Sequence, residues 1–296
     1  MKTLITGGNG LIGSYILKNN KKLGEVFVPS SEILDVCSKS MTDKAFKAIK
    51  PDVVIHLAGM TRILRGELER GDKRGKFWQT NVGGIDNIVR NCVNYDSFLI
   101  YISGEVVFAG NAKNRGPYYE VEPAETDANL LSWYGFTKAE AERTVAAKIP
   151  KRSAIVRVAS VVGEGDQPRP DYLRKILEAY DSKVLPSMFS DQFLGLADLG
   201  EILKVLEIIS VKKKNGVFHV SSPDQFTPYD LSRYLINLVR DNGKNTIKPA
   251  SIGVYLQQNP HTFFQYGGLN VMVTEKSLGI KFSTWRKIVK RMSRNL

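Results

Sequence analysis

Residues 2–13, Lys-Thr-Leu-Ile-Thr-Gly-Gly-Asn-Gly-Leu-Ile-Gly, decide the fold. The first five are short, apolar and β-prone; they run into Gly7-Gly8-Asn9-Gly10, after which Leu11, Ile12, Tyr15 and Ile16 recur at helical spacing. The stretch predicts a strand, a glycine turn and a helix, the context that a dinucleotide phosphate site requires. Gly7 allows the tight turn, Gly10 lets backbone N–H groups approach a pyrophosphate, and Gly13 permits close helix–strand packing. The helix N-terminus adds unpaired N–H groups and a partial positive charge, so Leu11 and Ile12 join the three glycines as expected cofactor contacts.

Outward from this turn, Val26-Phe27-Val28 reads as a second strand closed by Pro29, and Asp52 to Leu57 as a third. Ile85, Ile88, Val89 and Cys92 predict a helix feeding the buried run Phe98 to Ile102, and a helix from Tyr134 to Lys148 precedes the strand Ala154 to Val158. Five such strands with crossovers long enough for helices imply a parallel sheet. The expected class is α/β, a doubly wound parallel sheet of Rossmann type with a smaller mixed α/β substrate domain built mainly from the C-terminal part. Residues 1–160 and 197–222 would form the dinucleotide-binding domain, with Val217 to Val220 rejoining the main sheet, and 161–196 and 223–296 the substrate-binding domain.

The length of 296 residues suffices for one large domain or two interlocked ones. At 43% hydrophobic and 24% charged residues the composition is that of a folded protein, not a disordered or fibrous one. No apolar run reaches the roughly 18–20 residues of a membrane helix, and glycines follow Lys2 where a signal peptide would stay apolar. The expectation is a cytoplasmic protein with no membrane association. Cys37 and Cys92 form no CxxC and accompany three histidines, so neither a disulfide framework nor a metal site is expected. A net charge of +12 attracts anions, but the basic residues are dispersed and no nucleic-acid module accompanies them, so nucleic acid is not an expected partner.

An acidic residue after the second strand would bond a ribose 2′-hydroxyl and repel a 2′-phosphate. Pro29-Ser30-Ser31 stands there instead, which favours NADP(H) and leaves NAD(H) open, with Ser30 and Asp35 as contacts at the adenine end. Tyr134-Gly-Phe-Thr-Lys138 places a phenol and an ammonium one helical turn apart. A neighbouring cation lowers a phenol's pKa, which would make Tyr134 a proton donor or acceptor for a carbonyl/alcohol pair. With 12 tyrosines in a lysine-rich chain the spacing alone means little; its place, on a helix after the fourth parallel strand, gives it weight.

Thr6 to Gly13, His56-Leu-Ala-Gly59, Asn81-Val-Gly83, Tyr101-Ile-Ser103, Tyr134 to Lys138 and Arg157-x-x-x-Val-x-Gly163 together resemble the extended short-chain dehydrogenase/reductase superfamily. Within it, Ser103 to Gly110, Gly116 to Glu120, Asp191 to Gly195, Gly216 to His219 and Leu278 to Arg286 make the chain most similar to the dTDP-4-dehydrorhamnose reductase family. The resemblance implies NAD(P)H-dependent reduction of a 4-keto-6-deoxy sugar nucleotide in deoxysugar or surface polysaccharide synthesis. It implies hydride from the nicotinamide, a proton from Tyr134, and a Lys138 that lowers the tyrosine pKa and bonds the nicotinamide ribose. Leu57, Ala58, Gly59, Asn81, Tyr134 and Lys138 become cofactor contacts by the same resemblance, and Glu105, Val106, Phe108, Arg157 and Gln192 contacts to a nucleotide-diphosphate sugar. It also admits a homodimer.

One departure stands out. The family's catalytic Ser/Thr aligns with Gly104, which has no side-chain donor. Ser103 is the nearest hydroxyl, but adjacent strand residues point to opposite faces, so it serves as the third catalytic residue if the strand end is kinked. Val106 stands where related dehydratases carry a glutamate base, so dehydration is not expected. Arg62 to Lys76 is longer and more basic than the reductases' loop and reads as a solvated helix in preference to a contact to a different anionic substrate. Two alternatives stay open: a sugar-nucleotide epimerase of the same superfamily, and a non-catalytic NADP-binding regulatory subunit.

Overall fold

The computed structural model describes residues 1–165, 167–240 and 247–296; residues 166 and 241–246, within the expected substrate-binding domain, lie outside the described residues. Strand β1 (Lys2–Thr6) turns into α1 (Leu11–Asn19), followed by β2 (Glu25–Phe27), α2 (Lys39–Ile49) and β3 (Val53–His56). Two short helices, α3 (Ile63–Glu67) and α4 (Lys76–Trp78), lead through a π-turn at Gln79–Gly83 into α5 (Gly84–Asn94), β4 (Phe98–Gly104), α6 (Trp133–Lys148) and β5 (Ser153–Val158). The remainder runs β6 (Ser160–Val162), α7 (Tyr172–Asp181), β7 (Met188–Phe189), β8 (Leu196–Asp198), α8 (Leu199–Lys212) and β9 (Gly216–Val220), then α9 (Pro228–Arg240), β10 (Pro249–Ala250), α10 (Ile252–Gln258), α11 (Met272–Leu278) and α12 (Trp285–Met292).

The main sheet has the order β2-β1-β3-β4-β5-β9 and is parallel throughout. Its strands read as continuous apolar runs because both faces are covered. Ile5, Ile100, Ile102 and Val156 point to the face packed by α1 and α8, while Leu4, Leu99, Tyr101 and Ile155 point to the face packed by α2, α5 and α6. The chain winds from β1 outward to β2 and then returns to β3 on the other side of β1. That reversal opens a crevice at the strand C-termini, where open α/β sheets bind ligands. The short parallel pairs β6·β8 and β7·β10 lie outside the main sheet, and a third apolar cluster joins α7, α9 and α12 around Leu173, Ile176, Trp285 and Ile288. No helix among the described residues is long and apolar enough to cross a membrane.

Candidate active site

The glycine turn has the geometry that its sequence requires. Gly7 sits at φ +73°, and a Cβ there would stand 2.6 Å from the Ala58 nitrogen, so the two loops that close the β1/β3 crevice touch backbone to backbone. Gly13 likewise packs against the backbone of Gly7 and Gly8. Helix α1 begins at Gly10 with no side-chain cap and no acidic residue in its first turn. Its leading N–H groups therefore face the crevice unpaired, where phosphate oxygens fit by charge and by hydrogen-bond direction.

A cleft of about 1540 Å³ extends from this turn and is lined by Gly7, Gly10, Leu11, Ile12, Gly13, Ser30, Asp35, Leu57, Ala58 and Gly59 at one end. These residues fit a dinucleotide. Ser31, Glu32, Cys37, Lys76 and Thr80 line the adenine end beside them. Ser31, Glu32 and Cys37 come from the segment after β2 and Lys76 and Thr80 from α4 and the π-turn, and their convergence has no sequence signature. Asn81 does not join the lining: its amide accepts from the Met60 N–H at 2.7 Å and donates to the Met60 carbonyl and to Thr137 Oγ1. The expected cofactor contact is instead a buried bracket that ties the loop after β3 to α6.

His56, at the end of β3, fixes the same loop from below. Its Nδ1 is hydrogen-bonded to Thr6 Oγ1 at 2.8 Å, and Thr6 Oγ1 accepts from the Ala58 N–H. Burial, reinforced by the nearby Lys138 charge, pulls the His56 pKa down to about 3. The unfolded chain protonates this ring near its ordinary 6.5 while the folded chain refuses the proton, so His56 removes stability as the pH falls from 6.5 towards 3. The stability difference between wild type and His56→Gln is expected to shrink across that window. Urea midpoints of both proteins at pH 7 and pH 5 check it, and a difference independent of pH would contradict it.

Tyr134 and Lys138 line the same cleft. Ser132 caps α6 by accepting from the Gly135 N–H at 3.0 Å, and a Cβ on Gly135 would lie 2.2 Å from the Val106 carbonyl, so the helix start is pressed onto the end of β4. In the basic segment from Arg62 to Lys76, Arg62, Arg65, Lys73, Arg74 and Lys76 are exposed as expected, while Glu67 and Arg70 secure the same point. Glu67 Oε1 accepts from the Trp133 N–H at 2.6 Å, and Arg70 bonds Glu67 and the carbonyls of Ala128 and Leu131. Arg70 is therefore held in protein–protein bonds where the sequence suggests a solvated cation.

The electrostatics of the pair differ from the sequence expectation. Burial raises the Tyr134 phenol to about 12, opposed by the charge of Arg169 and not by that of Lys138. Lys138 turns into the sheet, where Nζ donates to the Ile102 carbonyl at 2.5 Å and lies 4.1 Å from the centre of the Tyr101 ring. Burial lowers its pKa to about 7, with Glu142 acting against the shift. Tyr134 consequently holds its proton across neutral pH and is equipped to donate it.

Beside it, Gly104 lines the cleft in extended backbone, φ −158° and ψ 169°. Strand β4 keeps its regular pairing through Ser103↔Arg157 and Gly104↔Val158, so the kink that would turn Ser103 outward is absent. Ser103 borders the cleft, but its hydroxyl oxygen is sealed from solvent and has no hydrogen-bond partner among the described residues. The geometry does not give it the catalytic position.

Glu105, Val106 and Gln192 line the cleft, whereas Phe108 and Arg157 do not. Phe108 stacks on Tyr118 with ring centroids 3.9 Å apart in a buried aromatic cluster that also holds Trp133. Arg157 forms a buried two-pronged pair with Glu142 and donates to the Glu122 carbonyl at 2.9 Å. Packing corrects both substrate assignments: Arg157 lies on the face of the sheet covered by α6, and Phe108, in the loop after β4, is buried in the aromatic cluster. Glu105 is largely engaged as well, accepting from the Gly268 N–H at 2.8 Å, and burial raises its pKa to about 7. Unanticipated lining residues at this end include Arg169, Tyr172, Phe189, Tyr255, Phe263 and Phe264. No group of three or more His, Cys, Asp or Glu side chains suited to a metal ion occurs among the described residues.

The family described as RmlD substrate binding domain matches residues 1–296. The chain belongs to that family. One RmlD-type relative, "dTDP-4-dehydrorhamnose reductase" of Aggregatibacter actinomycetemcomitans, is 27% identical over 241 residues, covering 78% of this chain and 76% of the relative. "Methionine adenosyltransferase 2 subunit beta" of Xenopus tropicalis is 25% identical over 252 residues, covering 78% and 70%. The dTDP-4-dehydrorhamnose reductase of Bacillus anthracis, solved in complex with NADP, superposes with a TM-score of 0.84 over 100% of this chain and 98% of its own, at 18% identity. The RmlD family fold thus holds across the whole chain, and the parallel sheet expected from residues 2–13 is the one found.

Proposed function

We propose that this chain is an NAD(P)H-dependent oxidoreductase that reduces a keto-sugar nucleotide, a 4-keto-6-deoxy sugar by similarity to its reductase relatives, with NADP(H) preferred. The observation that carries this reading is the single cleft joining the uncapped N-terminus of α1 to Tyr134. A dinucleotide-binding domain of residues 1–160 and 197–222 would hold the cofactor, and a substrate-binding domain of 161–196 and 223–296 the sugar nucleotide.

The bound dihydronicotinamide supplies the hydride. Tyr134 gives its phenolic proton to the carbonyl oxygen; a phenol at about 12 stays protonated until the oxygen gains charge. Lys138, directed at the Ile102 carbonyl, lines the same cleft and is the residue that would hold the cofactor ribose. Val106 and Gln192 border the substrate end. The absence of a carboxylate directly after β2, where Pro29-Ser30-Ser31 stands, supports NADP(H), and Asp35 is drawn to the Cys37 N–H at 2.9 Å.

The test is NADPH and NADH oxidation, followed by absorbance, with a 4-keto-6-deoxy sugar nucleotide and a cofactor titration alongside. Stoichiometric consumption of NADPH with turnover is expected. Conversion of a sugar nucleotide without net consumption would point to an epimerase. A second reading, a cofactor-binding regulatory subunit, is favoured by Gly104 and by the relatives named as an adenosyltransferase subunit. Tight NADPH binding without oxidation of any keto-sugar nucleotide would select it.

A further inference from the structure

We propose that Arg169, in the loop between β6 and α7, is the anion anchor of the substrate end of the cleft and grips the diphosphate of the nucleotide sugar. The assignment rests on the reductase reading above and deepens it.

Three cations line the cleft among the described residues: Lys76, Lys138 and Arg169. Lys76 lies at the adenine end, where its charge acts on Cys37, and Lys138 is directed at the Ile102 carbonyl and the Tyr101 ring. Arg169 is exposed and makes no hydrogen bond or ion pair within the described residues, unlike the other arginines of this region. Arg174, for comparison, bonds Asp171 and the carbonyls of Gly163 and Gly165, and Gln167 donates to the Gly163 carbonyl.

Those bonds fix Gly163, Gly165 and Gln167 before Arg169 and Asp171 and Arg174 after it. Asp171 accepts from the Gly163 N–H at 3.1 Å and caps α7 through the Arg174 N–H. Between the pinned ends the sequence is Pro168-Arg169-Pro170. Proline disfavours helical backbone at the residue before it, so Pro170 biases Arg169 towards the extended region, while Pro168 fixes its own φ. A guanidinium matches phosphate oxygens with paired N–H donors. The same charge is felt at the Tyr134 phenol, which places it on the reacting side of the cleft. Aromatic neighbours Tyr172, Phe189 and Tyr255 offer a base or sugar face but no charge to balance a diphosphate.

The experiment titrates the NADPH-loaded full-length chain with thymidine diphosphate, uridine diphosphate, and the uncharged nucleosides, for wild type, Arg169→Gln and Arg169→Lys. A charge-assisted hydrogen bond corresponds to roughly a 10- to 100-fold change in affinity. Arg169→Gln is expected to weaken diphosphate binding by about that factor, Arg169→Lys to recover part of it, and nucleoside and NADPH binding to stay level. In turnover, KM for the sugar nucleotide should rise by more than kcat falls. Equal diphosphate binding by wild type and Arg169→Gln would overturn the anchor alone. A loss confined to NADPH would move Arg169 to the cofactor and overturn it too. Failure of the wild type to bind either diphosphate would overturn the reductase reading with it.

Discussion

Tyr134→Phe is expected to lower kcat for keto-sugar reduction by about 10²–10⁴, the usual contribution of a positioned general acid, while the NADPH dissociation constant stays nearly unchanged. The substitution removes one oxygen and keeps the ring. That ring is half-buried and meets Phe77 edge-on at 6.3 Å between centroids, so packing at the start of α6 survives. The glycine turn and the start of α1, packed against the loop after β3, are left intact by the substitution. Steady-state kinetics paired with a cofactor titration separate the two effects. Wild-type kcat in the variant would assign the proton donor elsewhere, and a parallel loss of NADPH affinity would show that the oxygen holds the cofactor.

Gly104→Ser is expected to raise kcat by about 10- to 100-fold, part of the 10²–10³ by which one carbonyl-stabilising donor changes a rate. The backbone at 104 is extended, φ −158°, which any residue adopts. A Cβ there lies 3.3 Å from the Val158 carbonyl oxygen and 3.7 Å from Val106 Cγ2, a fit that needs a shift of a few tenths of an ångström. The new hydroxyl would border the same cleft as Tyr134. Ser103→Ala is the matched control, expected to leave kcat nearly unchanged because that oxygen is sealed away. Removing an unsatisfied buried hydroxyl also relieves a desolvation cost of about 1–3 kcal/mol, so its thermal midpoint should not fall. A tenfold drop in kcat for Ser103→Ala would return the third catalytic role to Ser103. If Gly104→Ser binds NADPH normally and the chain shows no turnover in either form, the regulatory reading gains instead.

Much of this protein was legible in its sequence because the decisive signals are local. Backbone conformation at Gly7, close approach at Gly13, apolar runs such as Phe98 to Ile102 and the one-turn spacing of Tyr134 and Lys138 are properties of short segments, and short segments repeat wherever their geometry is needed. The strands, their parallel order and the cofactor turn follow from them. What the sequence alone left undetermined is how distant groups share charge and volume. Arg157 and Glu142 neutralise each other under α6, Arg70 closes on Glu67 and two carbonyls, and Asn81 brackets Met60 to Thr137; each looks like a surface or ligand group until its partner, far along the chain, is in place. The direction of the tyrosine shift was decided in the same way, because desolvation depends on everything packed around a group and the Lys138 charge is turned towards Ile102. A strand's period of two told which residues alternate, but only the assembled sheet decided that Ser103 faces protein and Gly104 faces the cleft, since which face is covered is set by helices brought in from elsewhere in the chain.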